Sequence, residues 1–157
     1  MSNPNKTNYF QLEEYVNLKY NYKSKRNIKV IFRNYFHLGL LAQRGIPIAI
    51  CIKSDLDWAL NYSGNYDGLF YPKLTSEYYY IAYNHLMMGE TQEDLSKTLG
   101  ISQGTISNRS KYILSKVWLL LYDDDENIDP KEYEYVDNYY KSNSNSLPIS
   151  KFKKSKL

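Results

Sequence analysis

Apolar residues recur at intervals of three and four along most of this chain, the period of helices that bury one face. In "FQLEEYVNLKY" the period puts Leu12, Tyr15, Val16 and Tyr20 on one side, predicting a helix over 10–23. In "SKRNIKVIFRNYFHLGLLAQRG" it runs through Ile28, Ile31, Phe32, Tyr35, Phe36 and Leu40, with Ser24 as N-cap and Gly45 as the stop. Pro47 forces a boundary. The following "IPIAICIKSDLDWALNYSG" fits either a short buried strand at its Ile-rich start or a helix through Leu56, Trp58 and Leu60. "NYSGNYDGLFYPKLT" has glycines and a proline among polar residues and reads as the main loop, 63–74. "LTSEYYYIAYNHLMMGE" then predicts a helix capped by Thr75 or Ser76 and ended by Gly89, with Tyr79, Ile81, Ala82, His85, Leu86 and Met87 near one face.

The stretch "ETQEDLSKTLGISQGTISNRSKYILSKVWLLL" is the most regular part. Thr91 caps a short helix with Asp94 at its third position and Leu95 and Leu99 inward. Gly100 suits a left-handed C-cap, and Ile101 packs under the turn. Ser102 caps a second helix whose inward stripe is Ile106, Ser110, Ile113, Val117 and Leu120 or Leu121. This is a helix-turn-helix pattern, with the small Ser96 where the two helices cross. On its outer face, Gln103, Thr105, Ser107, Asn108, Arg109 and Lys111 are the donors and acceptors that base edges and phosphates require. An ordinary helical hairpin explains the leucines and the glycine but leaves that face unexplained, because a plain solvated face carries more Glu and Lys.

Residues 75–121 resemble the C-terminal DNA-binding region of bacterial sigma factors, region 4, and the regulators that share it. The resemblance rests on Thr91, Leu95, Leu99, Gly100, Ile101, Ser102, Thr105, Ile106, Ser107 and Arg109. The preceding "EYYYIAYNHLMMGET" is similar to the family's supporting helix. Ser96 stands where the family has alanine, and "ILSKVWLLLYD" is apolar where the family's long helix is basic. Trp118 and its neighbouring leucines are expected to pack on the N-terminal helices or on a second subunit. A small helical part ahead of this motif also resembles the layout of phage late-gene activators of the RinA/ArpU type. The resemblance implies a transcription regulator that binds double-stranded DNA, with Ser102, Gln103, Thr105, Ser107, Asn108, Arg109 and Lys111 at the interface.

Charge modifies this picture. Residues 1–60 hold nine Lys/Arg against four Asp/Glu, residues 61–122 five against five, and residues 123–157 six against eight. A motif of balanced charge binds DNA weakly as one copy, since phosphate neutralisation supplies most of the affinity. A second copy, RNA polymerase, or auxiliary phosphate contacts from Lys23, Lys25, Arg26 and Lys29 must add to it. A small terminase subunit or replication adaptor is the alternative, with the apolar Trp118 helix as its oligomer surface.

Eighteen tyrosines among 157 residues predict a core that is polar at its edges. The single cysteine, Cys51, excludes an intrachain disulfide and, lying in "IPIAICI", is expected to be buried and inert. No phosphate loop, metal cluster or nucleophile with a base at catalytic spacing is present in the sequence, so neither an enzyme nor a cofactor is expected. His37 and His85 lack partners at ligand spacing, and "DDDE" at 123–126 reads as a solvated helix end rather than a cation site. Nothing resembles a signal core or a membrane span, which points to a soluble, cytoplasmic protein without membrane contact.

The expected fold is all-α. A disordered lead (1–9) precedes an N-terminal helical part (10–62), the loop (63–74), a three-helix helix-turn-helix unit (75–122) and a largely disordered, flexible tail (123–157). Within that tail "PKEYEYVDNYY" has the pattern of one helix.

Overall fold

A computed structural model describes residues 16, 19–66, 68–122 and 128–143. The expected lead, most of the helix at 10–23, the 123–126 acidic run and the basic C-terminal end lie outside the described residues. Val16 and Tyr20 are both buried, on the side that the helical period selected.

Among the described residues the fold is all-α apart from one small hairpin. Helix α1 (Lys25–Arg33) starts at Ser24, whose side chain accepts a hydrogen bond from the Asn27 amide at 3.2 Å. The single helix expected over 24–45 is broken at Asn34, and α2 (Tyr35–Gln43) follows. The Asn34 side chain donates to the Val30 carbonyl at 2.8 Å, and its backbone (φ −106°, ψ 17°) leaves the helical region. Asparagine competes locally for backbone partners in this way and disrupts helices.

Of the two readings of 46–62, the helix holds: α3 (Pro47–Asn61) has Pro47 in its first turn, where a missing amide costs nothing. That start sets the phase, burying Ala49, Ile52, Leu56, Ala59 and Leu60. Cys51 and Trp58 therefore face out. The expectation of a buried thiol is corrected, because every residue of "IPIAICI" is apolar and only the helix start decides which ones turn inward.

The expected 63–74 loop contains a hairpin, β1 (Gly64–Tyr66) paired antiparallel with β2 (Leu69–Tyr71) in the register Gly64↔Tyr71 and Tyr66↔Leu69. Helix α4 (Ser76–Ile81), capped by Thr75, runs into a π-helical turn, Ala82–Met87. The wider turn slows the rotation per residue, keeping Leu86 and Met87 on the buried side with Ile81 and Ala82. On this helix Tyr78 is fully buried and Tyr79 only half-buried, one position off the expected face.

Two helices then form the expected turn, α5 (Gln92–Leu99) and α6 (Gln103–Leu121). Within the tail the helix expected at "PKEYEYVDNYY" is present: α7 (Pro130–Asn143) packs on α6 and β2, with Ile128 and Val136 buried. Tyrosines make that attachment. Tyr139 stacks on Tyr112 at 4.3 Å between centroids, its hydroxyl meets that of Tyr78 at 2.6 Å, and Tyr140 lies edge-on to Phe70 at 5.4 Å. Lys25 on α1 reaches Glu132 on α7 at 2.8 Å.

Helix α6 is the common partner of α1, α3, α4, α5 and α7. From Ser115 to Leu121 every residue is buried, and the Trp118 indole donates to the Tyr22 carbonyl at 3.0 Å. Lys116 is fully buried and donates to the Tyr62 and Leu60 carbonyls at 2.9 and 3.4 Å, where α3 ends. A cation at the carbonyl end of a helix is favourably placed. Burial nevertheless pushes its ammonium down to about 8.

Candidate nucleic-acid interface

The turn between α5 and α6 is built from local signals. Thr91 accepts from the Asp94 amide at 3.1 Å, and Gly100 ends α5 at φ 69°, ψ 28°, a left-handed conformation that glycine adopts without penalty. The Ser96 hydroxyl donates to the Ile101 carbonyl, which ties the turn to α5 and fits the small side chain at that crossing. Leu95 and Ile106 are fully buried beneath it. The inward stripe of Ile106, Ser110, Ile113, Val117, Leu120 and Leu121 is buried throughout.

On the outward side, Ser102, Gln103, Asn108 and Lys111 are exposed, while Thr105 and Ser107 are half-buried. The Ser102 hydroxyl accepts from the Thr105 amide at 3.1 Å and shares a hydrogen bond with the Thr105 hydroxyl at 2.8 Å. Both side chains thus start the helix as well as facing solvent.

Arg109 is placed differently. Its guanidinium pairs with Glu77 on α4 and lies 5.1 Å from the Tyr78 ring, and its side chain is only 13% exposed. Geometry therefore gives it the task of holding α4 against α6. Lys111, two residues on, forms no salt bridge among the described residues.

Sequence reasoning missed Gly104. It sits exposed in the first turn of α6, and a Cβ there would meet only the Ser102 hydroxyl, at 3.9 Å. Packing does not require glycine there, and glycine weakens a helix by about 1 kcal/mol relative to alanine. What a bare α-carbon permits is close approach of a ligand to the backbone.

Of the auxiliary bases on and before α1, Lys23, Arg26 and Lys29 are exposed and unpaired in salt bridges among the described residues, whereas Lys25 is committed to Glu132. Arg33 closes the turn before α5: its Nη1 lies 2.8 Å from where a Gly89 Cβ would stand, and Gly89 has φ 80°. The C-terminal end of α1 therefore bears on the motif.

His37 is exposed, and His85 Nδ1 lies 2.7 Å from the Glu90 carbonyl oxygen. Among the described residues no three His, Cys, Asp or Glu lie close enough to hold a metal ion, and no helix is long and apolar enough to cross a membrane.

Compared with protein-family models, curated proteins and solved structures, the chain matches none of them.

Proposed function

We propose that this chain is a sequence-specific DNA-binding regulator of transcription, a binding protein rather than an enzyme, acting in the cytoplasm of a bacterial or phage-infected cell. It reads the major groove with the first half of α6. One observation carries this reading. The outer face at the start of α6 combines exposed Ser102, Gln103, Asn108 and Lys111 with a bare Gly104 and bears no carboxylate, although acids and bases balance over 61–122.

On this reading Gln103 and Asn108 face base edges, as amides paired with adenine do. Ser102, Thr105, Ser107 and the amides of the first turn face the backbone phosphates. Lys111 adds charge from α6, and Lys23, Arg26 and Lys29 add it from the α1 side. A second copy or RNA polymerase supplies the remaining affinity.

The packaging alternative drew on the Trp118 half of α6 as an assembly surface. That half is consumed inside the fold, and exposed apolar side chains such as Leu40 and Trp58 lie on α2 and α3. Nothing specific favours that reading.

Selection of bound fragments from a random DNA pool tests the proposal. A recovered motif, weakened at defined positions by Asn108→Ala and Gln103→Ala, is the expected result. An unenriched pool at low salt would overturn it.

A further inference from the structure

A cleft of about 370 Å³ lies where α1, α6 and α7 meet, lined by Lys25, Lys111, Leu114, Ser115 and Tyr135. That volume falls in the range of small-molecule sites. Three of its polar groups are uncommitted. Ser115 is 1% exposed, and its hydroxyl has no hydrogen-bond partner among the described residues, a costly state for a buried polar atom. The Lys111 ammonium forms no ion pair among the described residues, and the Tyr135 hydroxyl makes no hydrogen bond among them either. Lys25 is the exception: its ammonium holds Glu132 at 2.8 Å and bridges α1 to α7 beside the cleft.

We propose that this cleft binds a small organic anion, a carboxylate or phosphate ester on an apolar or aromatic body. Lys111 receives the charge, the Ser115 hydroxyl donates to it, and Leu114 and the Tyr135 ring flank the body. A bare inorganic ion is too small, because it would leave the Leu114 and Tyr135 walls uncovered. The Glu132 carboxylate selects against a second negative charge near Lys25, so one anionic group at the Lys111 end is the arrangement that fits. Lys111 also belongs to the proposed DNA face. Occupancy would withdraw that cation from a phosphate, a consequence that rests on the DNA reading while ligand binding does not.

The test is an amide NMR titration of the full chain, without DNA, using phenyl phosphate, inorganic phosphate and benzylamine as probes. Expected is saturable binding of phenyl phosphate with shifts centred on Leu114, Ser115 and Tyr135, weakened at least tenfold by Lys111→Met and severalfold by Ser115→Ala. Lys111 is exposed, so its variant keeps the fold, which its spectrum verifies. The proposal is overturned by no saturable shift at these residues, by benzylamine binding equally well, by inorganic phosphate matching phenyl phosphate, or by an undiminished affinity in Lys111→Met. Added DNA should then compete with phenyl phosphate. Failure of that competition alone counts against the DNA reading and leaves the site standing.

Discussion

Burying Lys116 predicts a stability that rises with pH where most proteins are flat. Its ammonium falls from the ordinary 10.5 to about 8 because burial penalises the charge, which sets about 3 kcal/mol against the charged form. Between the two values the unfolded chain binds a proton that the folded chain has released, so stability climbs with pH through that window. With 10.5 and about 8 as the limits, the gain from pH 7 to pH 9 is about 1.3 kcal/mol. Tyrosines set the upper bound of the window. Burial raises the Tyr112 and Tyr139 hydroxyls well above the phenol range, so their contribution is intact below pH 10 and is lost as the pH rises further. Urea unfolding followed by circular dichroism at pH 7, 8 and 9 measures the slope directly. Lys116→Met should abolish it. The variant leaves the Tyr62 carbonyl without this donor, while Leu60 retains the Tyr79 hydroxyl at 2.9 Å, so its stability at pH 7 changes by only about 1–2 kcal/mol. A flat wild-type profile, or an equal slope in Lys116→Met, would refute the reasoning.

Two further outcomes follow from side-chain placement. Arg109→Met should lower the unfolding free energy by about 1–2 kcal/mol, through loss of the Glu77 pair and the Tyr78 ring contact. On the DNA reading it should leave the salt dependence of binding nearly unchanged, whereas Lys111→Ala should lower the slope by about 1 and spare stability; the reverse pattern would return Arg109 to the proposed interface. Exposed Cys51 should react fully with a thiol reagent in the native protein, and a requirement for denaturant would show that it is covered.

The parts of this fold that could be read from the sequence are those fixed by local chemistry. Ser24, Thr75, Thr91 and Ser102 each accept the amide that a cap should accept, and Gly100 adopts the left-handed conformation that its position demanded. The outward polar set on α6 followed from the same periodicity. Features set by distant contacts were not accessible in this way. The break at Asn34 turns on one side-chain hydrogen bond, and the outward phase of Cys51 on where Pro47 begins its helix. The hairpin has only three residues in each strand, too few for alternation to stand out, although Gly68, at φ 80° just before β2, is the residue type that such turns favour. Helix α7 is anchored by Tyr139 to Tyr78 and Tyr112, contacts spanning tens of residues. Arg109 shows a sharper limit. Its position matches a family motif, yet Glu77, thirty-two residues earlier, determines what its guanidinium does.

Among the described residues the N-terminal helical part and the helix-turn-helix unit share their packing. Buried residues from Val16 to Val136 form a single core, and the second half of α6 lies within it against α1 and α3. This arrangement explains why "ILSKVWLLL" carries so few bases: a helix surrounded by neighbours cannot also grip a phosphate backbone. On the DNA reading, the missing charge must come from elements beside α6 instead. Helix α1 is suitably placed, since Lys25 and Lys111 line the same cleft although they are far apart in sequence. Arg26 and Lys29 on the same helix are exposed, while Lys25 is paired. Anchoring half of α6 in the core also fixes the orientation of its first two turns. Gln103 and Asn108 are thus presented on a rigid stem, so less conformational entropy is lost when they meet a partner.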